Sequence, residues 1–233
     1  MNIFDYQIIA FFNSFSRCSI FFDKALSILS DNVLFKGGLI VPFFWWFWFN
    51  DKDNTDRKEH VISTLIASFF ALFAARFLAL TLPFRCRPLH NPNLHFKLPY
   101  GVDSSALIGW SSFPSDHAVL FFSLAIGLTF MTFRYGVLAI AYVFTVICLP
   151  RVYLGYHYPT DIIAGALLGA GISYIANTHG VRKLITRKIL IWETVHPGSF
   201  YVCFFVLSCQ MVAMFDPIRK LVEVIVHSTK LLF

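Results

Sequence analysis

Charged side chains are scarce in this sequence: Asp, Glu, Lys and Arg make up only 14% of its 233 residues. A soluble domain carries about 25% charged residues, because its surface faces water. Here 57% of the residues are hydrophobic and 18% are aromatic, with 28 phenylalanines. The shortage of charge excludes a soluble globule and a disordered chain. The composition predicts an integral membrane protein with one domain over residues 1–233.

The sequence also lacks two common patterns of ligand-binding residues. Its five cysteines follow no C-x-x-C spacing, so neither a disulfide framework nor a metal site is indicated, and we expect no metal and no cofactor. The formal net charge is +6, but the Lys and Arg residues are spread between apolar blocks instead of forming a basic stripe. Nucleic-acid binding is therefore not expected.

Long apolar runs dominate what is present. A membrane-spanning helix needs about 20 apolar residues, and the runs predict an all-α, integral membrane helical bundle with six transmembrane helices. The predicted spans are residues 33–49, 60–82, 115–133, 136–150, 160–178 and 199–215. Five charged residues interrupt residues 1–32, which favours an interfacial N-terminal helical segment of one or two helices over a seventh span. The six-span core then covers residues 33–215, and residues 216–233 form a C-terminal tail.

Six spans place the loops at 83–114 and 151–159 on one side of the membrane. The linkers at 50–59, 134–135 and 179–198 lie on the other side and contain eight Lys and Arg residues, against four in the first set. The positive-inside bias then places the first set outside the cytoplasm. Counting the five Lys and Arg residues of the two termini removes this difference.

Polar residues are concentrated in three short blocks, all on the side of the first set of loops. The blocks are Arg85-Cys86-Arg87-Pro88, then Phe113-Pro114-Ser115-Asp116-His117, then Arg151-x5-His157-x3-Asp161.

The third block has the chemistry of a nucleophilic site. Asp161 follows His157 by four residues, near enough to accept a hydrogen bond from one imidazole nitrogen and leave the other free as base or nucleophile. Arg151 carries a planar guanidinium group that matches phosphate. Pro159 suits the first turn of a helix that begins near Thr160.

The second block adds His117 at the start of a helix whose amides around Ser115 favour an anion. Two histidines, two arginines and a helix N-terminus at one interface predict a site for phosphoryl transfer.

The three blocks resemble the signature of the type 2 phosphatidic acid phosphatase (PAP2) superfamily, K-x6-R-P, P-S-G-H and S-R-x5-H-x3-D, over residues 80–161. The resemblance implies a metal-independent lipid phosphatase. It implies that His157 is the nucleophile that forms a phosphohistidine, that Asp161 orients it, and that His117 protonates the leaving group. The implied phosphate ligands are Arg87, Arg151 and the region of Ser115.

The chain departs from this signature at three positions. Leu80 stands where the first motif has Lys, and Arg85 or the intramembrane Arg76 can supply the missing cation. Pro150 replaces Ser, and Asp116 replaces Gly. The resulting F-P-S-D-H is similar to bacterial undecaprenyl-diphosphate phosphatases of the superfamily.

The resemblance therefore implies an enzyme of the bacterial cytoplasmic (inner) membrane, with its active site facing the periplasm or the outside. The first-choice substrate is undecaprenyl diphosphate, and the alternatives are phosphatidic acid, phosphatidylglycerol phosphate and lipid A. The lipid phosphate substrate and membrane lipids are the expected partners, and the sequence does not indicate an oligomeric state. An anion transporter and a non-catalytic membrane protein stay open as other classes, whereas the composition argues against a soluble vanadate-dependent haloperoxidase.

Overall fold

The computed structural model describes residues 2–50 and 54–216, and these residues form helices and no β-strand. The predicted all-α class is confirmed for this part of the chain. The predicted C-terminal tail lies outside the described residues, apart from Asp216.

The described part of the chain contains ten α-helices in succession. They are α1 (Ile3–Ser14), α2 (Ile20–Asp31), α3 (Val41–Asn50), α4 (Thr55–Thr81), α5 (Asp116–Met131), α6 (Phe133–Tyr142), α7 (Leu149–Tyr153), α8 (Pro159–Asn177), α9 (His179–Val195) and α10 (Pro197–Val212). A π-helical turn at Leu34–Gly38 precedes α3, and another at Val143–Cys148 joins α6 to α7. Short 3-10 turns at Pro88–His90 and Pro92–Leu94 lie in the long loop between α4 and α5.

Capping residues explain where the central helices begin. The side chain of Asn54 accepts a hydrogen bond from the backbone N–H of Arg57 (3.1 Å) at the start of α4. The hydroxyl of Ser115 accepts one from the backbone N–H of Ala118 (3.5 Å) at the start of α5. Helix α8 begins with Pro159, whose missing N–H has no intrahelical partner in the first turn, as the sequence predicts.

The centre of the bundle is formed by α4, α5 and α8. The approach of α5 to α8 depends on Gly169, because a Cβ there would lie 2.0 Å from the carbonyl oxygen of Val119. Aromatic residues of α3 and α10 extend the core, with Trp48 stacked on Phe200 at a centroid distance of 5.2 Å. The backbones of α5 and α8 thus touch at Gly169, and the rings of α3 and α10 touch at the aromatic pair. Both contacts are those of a closely packed core.

Three helical segments are long and apolar enough to cross a membrane: Thr55–Thr81, Phe133–Tyr153 and Pro159–Asn177. The pair Ile20–Asp31 and Leu34–Asn50 is a fourth candidate if it counts as one span, although it bends by 69°. Helices α5 and α10 are apolar but have 16 residues each. Such a helix is about 24 Å long, shorter than a hydrocarbon core of about 30 Å. The chain is thus a membrane protein with three to four candidate spans among the described residues, and the number six stays a prediction.

The N-terminal segment forms two helices, α1 and α2, but two of its three acidic residues do not face solvent. Asp5 and Asp23 are fully buried. One oxygen of Asp23 accepts hydrogen bonds from the backbone N–H groups of Arg17 (3.0 Å) and Tyr100 (2.8 Å), and the other accepts one from the hydroxyl of Tyr153. These contacts attach the segment to the α4–α5 loop and to α7. Its position in the membrane interface stays a prediction.

A second buried polar network lies at the other end of α4. The guanidinium of Arg182 donates to Glu59 (3.2 Å) and pairs with Asp56. The Nδ1 atom of His60 lies 2.7 Å from the side-chain oxygen of Asn177. This network ties α9 to α4 and α8, while the polar residues of the three sequence blocks lie at the opposite end of these helices.

Candidate active site

A cavity of about 660 Å³ lies where the α4–α5 loop and residues 154–158 meet the ends of the central helices. Its lining includes Lys36, Arg76, Arg87, His117, Arg151 and His157. Five of the predicted site residues are therefore brought together at one cavity. Asp161, Ser115 and Arg85 are not among its lining residues and lie behind it.

The imidazole of His157 is buried and held in one orientation. Its Nδ1 lies 2.9 Å from the main-chain carbonyl oxygen of Ser112. Because a carbonyl oxygen can only accept, Nδ1 carries the proton and the neutral ring keeps its lone pair on Nε2. Burial lowers the pKa of His157 to about 4, against the opposing effect of Asp161. The ring is thus neutral near pH 7, with Nε2 available as a nucleophile.

Asp161 lies beside this ring but is not its shortest contact. Its Oδ2 atom is 3.8 Å from Nδ1 of His157 and accepts a hydrogen bond from the backbone N–H of Tyr158 at 2.8 Å. The direct acceptor from Nδ1 is the carbonyl oxygen of Ser112, which the sequence analysis did not identify. A main-chain acceptor 45 residues away leaves no signal in the sequence.

Arg87 is 5% exposed and is held by three carbonyl oxygens. It donates to the carbonyls of Tyr156 (2.6 Å), Trp110 (3.1 Å) and Ser111 (3.2 Å). Burial lowers the pKa of Arg87 to about 10, so it remains protonated near pH 7. Its acceptors are neutral, and its charge is therefore available to an anion beside Nε2 of His157, which lies 3.5 Å from Nη1.

Arg151 occupies the last turn of α7 and links the cavity to the nucleophile. Its side chain donates to the carbonyl oxygen of Ser30 at 3.0 Å. Its own carbonyl oxygen accepts from the backbone N–H groups of Tyr156 (2.9 Å) and His157 (3.3 Å). The chain reverses at Gly155, whose φ of +76° is costly for other residues, so that His157 faces the same cavity as Arg151.

Arg76 and Asp116 form an ion pair, and both line the cavity. The Arg76 guanidinium also lies over the ring of Trp110, 4.9 Å from its centroid. Leu80, which stands where the signature has Lys, is 86% exposed and is not part of the lining. Two departures from the signature are thus connected. Arg76, one helical turn before Leu80, compensates the charge of Asp116, which replaces Gly.

Arg85 supports Asp161 from the side away from the cavity. It pairs with Asp161, donates to the hydroxyl of Thr160 at 2.9 Å and to the carboxylate of Asp5 at 2.6 Å. Asp5 also accepts hydrogen bonds from the backbone N–H (3.0 Å) and the hydroxyl (2.7 Å) of Thr160. In the sequence, Asp5 only interrupts an apolar segment, and no local pattern indicates this contact with the start of α8.

His117 is the second residue of α5 and lines the cavity across the helix N-terminus. The neighbouring Ser115 is fully buried, and its hydroxyl caps α5. The backbone N–H of Ser115 donates to the carbonyl oxygen of Asp161 at 3.2 Å, which joins the starts of α5 and α8. This arrangement sets His117 and His157 on one cavity.

Within residues 2–50 and 54–216, no group of three or more His, Cys, Asp or Glu side chains is arranged to hold a metal ion. Independence from metals stays a prediction.

Comparison with known proteins adds a family. The family model described as the PAP2 superfamily matches residues 61–183, which contain the three sequence blocks. Undecaprenyl-diphosphatase BcrC from Bacillus subtilis (strain 168) is 22% identical over 194 residues, which cover 82% of this chain and 93% of the relative. Bacitracin transport permease protein BcrC from Bacillus licheniformis is 37% identical over 78 residues, 34% of each chain. No solved structure matches the chain.

Proposed function

Because this chain belongs to the PAP2 superfamily, whose model covers residues 61–183 of 233, we propose that it removes a phosphate from a lipid phosphate or diphosphate. The family and its undecaprenyl-diphosphatase relative support a lipid phosphatase. Undecaprenyl diphosphate is the first-choice substrate of this proposal. Phosphatidic acid, phosphatidylglycerol phosphate and lipid A are the alternatives within the same class.

The orientation of His157 carries this proposal. Its Nδ1 proton is held by the carbonyl oxygen of Ser112, so Nε2 faces the cavity with a lone pair. In the proposed reaction Nε2 attacks the terminal phosphorus and forms a phosphohistidine. The bond from phosphorus to the bridging oxygen breaks, and its electron pair stays on that oxygen, which takes a proton from His117. Water then attacks the phosphohistidine, gives a proton to His117, and phosphate leaves.

The cations of the cavity suit the charge that develops on phosphorus. Arg87 lies directly beside Nε2 of His157, and Arg151 lies in the adjoining turn. Both are buried among neutral acceptors, so they stabilise an anion more strongly than they would in water. The first two residues of α5, Asp116 and His117, line the cavity, and a helix N-terminus favours an anion. Asp161 stabilises the positive charge of the phosphorylated imidazole.

The surface around the cavity favours a lipid substrate over a soluble one. Leu107, Ile108 and Trp110 line the cavity and are 40%, 63% and 39% exposed. Phe84 is 63% exposed beside them, at a smaller adjoining pocket. An apolar rim of this kind lets a headgroup enter while the lipid chain remains in the bilayer.

Two other classes have less support. A transport path would need polar groups at several depths of the membrane, whereas Arg76, Arg87 and Arg151 line one cavity at one end of the bundle. The name of the Bacillus licheniformis relative refers to transport, but the match covers only 34% of this chain. A non-catalytic protein has no need of two histidines set on one cavity.

The main experiment is phosphate release by the detergent-purified protein in the presence of EDTA, with undecaprenyl diphosphate, phosphatidic acid and phosphatidylglycerol phosphate as substrates. We expect His157→Ala to lower kcat by at least about 1,000-fold and to abolish an acid-labile phosphoenzyme. The control is His95→Asn, a change at an exposed histidine of the α4–α5 loop. Activity retained by His157→Ala, or lost on addition of EDTA, would contradict the proposal.

The proposal also places the single domain of residues 1–233 in the bacterial cytoplasmic membrane, with the cavity facing outward. Asn93→Cys and Lys188→Cys, each in a background without the native cysteines, test this orientation because both positions are exposed and lie at opposite ends of the bundle. An impermeant thiol reagent should label the first in intact cells and spare the second. The reverse pattern would invert the topology.

A further inference from the structure

We propose that Lys36 forms a second phosphate subsite in the cavity, which binds the phosphate group that remains on the lipid. This inference rests on the proposed function and deepens it, because such a subsite makes the enzyme selective for lipid diphosphates over lipid monophosphates.

The position of Lys36 is unusual for a lysine. It lies in the π-helical turn Leu34–Gly38, at the break where Ile20–Asp31 and Leu34–Asn50 bend by 69°, and it is 9% exposed. A charged residue inside an apolar segment of a membrane protein is costly, and it faces a cavity or a partner. Breaks with π-helical geometry are frequent at functional sites. The break turns Lys36 into the cavity that holds His157.

Charged groups of both signs share the cavity with Lys36 in the part of the chain that the structure describes. Lys36 forms no ion pair within 4.0 Å there. Asp31 and Asp216 line the cavity and attract Lys36, whereas Arg151, which lines the same cavity, repels it. Two buried cations that repel each other across a cavity are stabilised when an anion binds between them.

Arg151 is also close to the catalytic end of the cavity. It acts electrostatically on Arg87 and on His157 as well as on Lys36. All three cations line the same cavity, and Arg87 lies beside the nucleophile. In the proposed binding mode the terminal phosphate lies at Arg87 and Arg151. The second phosphate of a diphosphate then lies at Lys36.

This position is useful in the reaction itself. When Nε2 of His157 attacks the terminal phosphorus, the electron pair of the breaking bond moves to the bridging oxygen, which takes the proton from His117. The negative charge on the departing lipid phosphate grows in this step. The ammonium group of Lys36 would neutralise that charge, an effect that a monophosphate substrate does not use.

The test compares farnesyl diphosphate with farnesyl monophosphate, which share one lipid chain. In Lys36→Met, we expect the ratio of kcat/KM for the diphosphate to kcat/KM for the monophosphate to fall roughly 10- to 100-fold, the effect of one charge-assisted contact. Lys36→Arg should restore most of the ratio. Lys97→Met is the matched control, because it removes the same charge from an exposed position of the α4–α5 loop. A ratio that stays at the wild-type value in Lys36→Met would overturn the proposal, whether both activities fall together or neither falls.

Binding separates this inference from the proposed function. If the wild-type protein hydrolyses neither farnesyl substrate, the proposed function fails. The subsite is then tested by measuring the binding of methylenediphosphonate by calorimetry, because the carbon bridge of this diphosphate analogue cannot be hydrolysed. Lys36→Met should weaken binding of methylenediphosphonate roughly tenfold more than binding of inorganic phosphate. Equal losses for the two ligands reject the subsite. Thermal unfolding of Lys36→Met and Lys36→Gln checks that either variant used is folded.

Discussion

Asp5→Asn is the sharpest test of how the N-terminal helix supports the active site. Asp5 is fully buried and joins α1 to two elements far along the chain. One carboxylate oxygen accepts from the backbone N–H of Thr160 at 3.0 Å. The other accepts from the Thr160 hydroxyl at 2.7 Å and from the Arg85 guanidinium at 2.6 Å. Asparagine keeps the size and one acceptor, but it removes the charge and directs an amide N–H toward Arg85.

The magnitude follows from these contacts. A hydrogen bond to a charged group contributes about 1.5–3 kcal/mol. The lower half of this range applies, because the Arg85 side chain is 27% exposed and keeps Asp161 and Thr160 as partners. We expect the free energy of unfolding to fall by about 2 kcal/mol, which lowers Tm by about 4–8 °C for a chain of this size. Since Arg85 holds Asp161 in place, kcat should fall by about tenfold while KM changes less.

The assay is thermal unfolding in detergent together with phosphate release. Gln7→Ala is the control, because Gln7 is an exposed residue of the same helix, and neither quantity should change in this variant. A double-mutant cycle with Arg85→Met should give a coupling free energy of at least about 1 kcal/mol. If Asp5→Asn matches the wild-type protein in Tm and kcat, α1 does not support Asp161 and the reasoning is refuted.

Three further predictions concern packing, charge and pH. Gly169→Ala should lower the free energy of unfolding by about 1–3 kcal/mol, because its Cβ would lie 2.0 Å from the carbonyl oxygen of Val119. The control Gly171→Ala lies in the same helix, with open space around it, and should raise the free energy of unfolding by up to about 1 kcal/mol. Similar Tm values for the two variants would contradict the close approach of α5 and α8. Arg76→Leu and Asp116→Asn should each destabilise the protein by about 2 kcal/mol, and the double variant should lose less than the two single losses together, since it leaves no single charge behind. Additive losses would show that the pair is not coupled. The free energy of unfolding should fall as pH drops from 6.5 to about 4. In this range His157 takes up a proton in the unfolded chain but not in the folded protein, where burial lowers its pKa to about 4. His157→Gln should weaken this dependence of the free energy of unfolding on pH, measured by urea titrations at each pH. An unchanged pH dependence would contradict the assignment of a neutral His157 as the nucleophile.

Sequence reasoning located most of the cavity because the relevant residues lie in short blocks at helix ends. His117 and Arg151 are placed by a helix that begins and a helix that ends beside them, and local apolar patterns predict both boundaries. The order of the apolar runs predicts that His157 and Arg87 lie at the same end of the helical bundle. The same patterns misplace the ends of individual spans. The predicted span 115–133 continues past the end of α5 at Met131, whereas Thr55–Thr81 and Phe133–Tyr153 are longer than the predicted spans 60–82 and 136–150.

Composition and local patterning thus determined the all-α membrane class, the PAP2 resemblance and the grouping of the catalytic candidates. Only the tertiary structure decided which atoms hold them. The acceptor for His157 is the carbonyl oxygen of Ser112, 45 residues away, and the support for Arg85 is Asp5, 80 residues away. Lys36 joins the same cavity from a bent segment outside all three blocks. Contacts of this kind depend on how helices distant in sequence pack against one another, and a main-chain oxygen or a buried carboxylate carries no local pattern that specifies its partner.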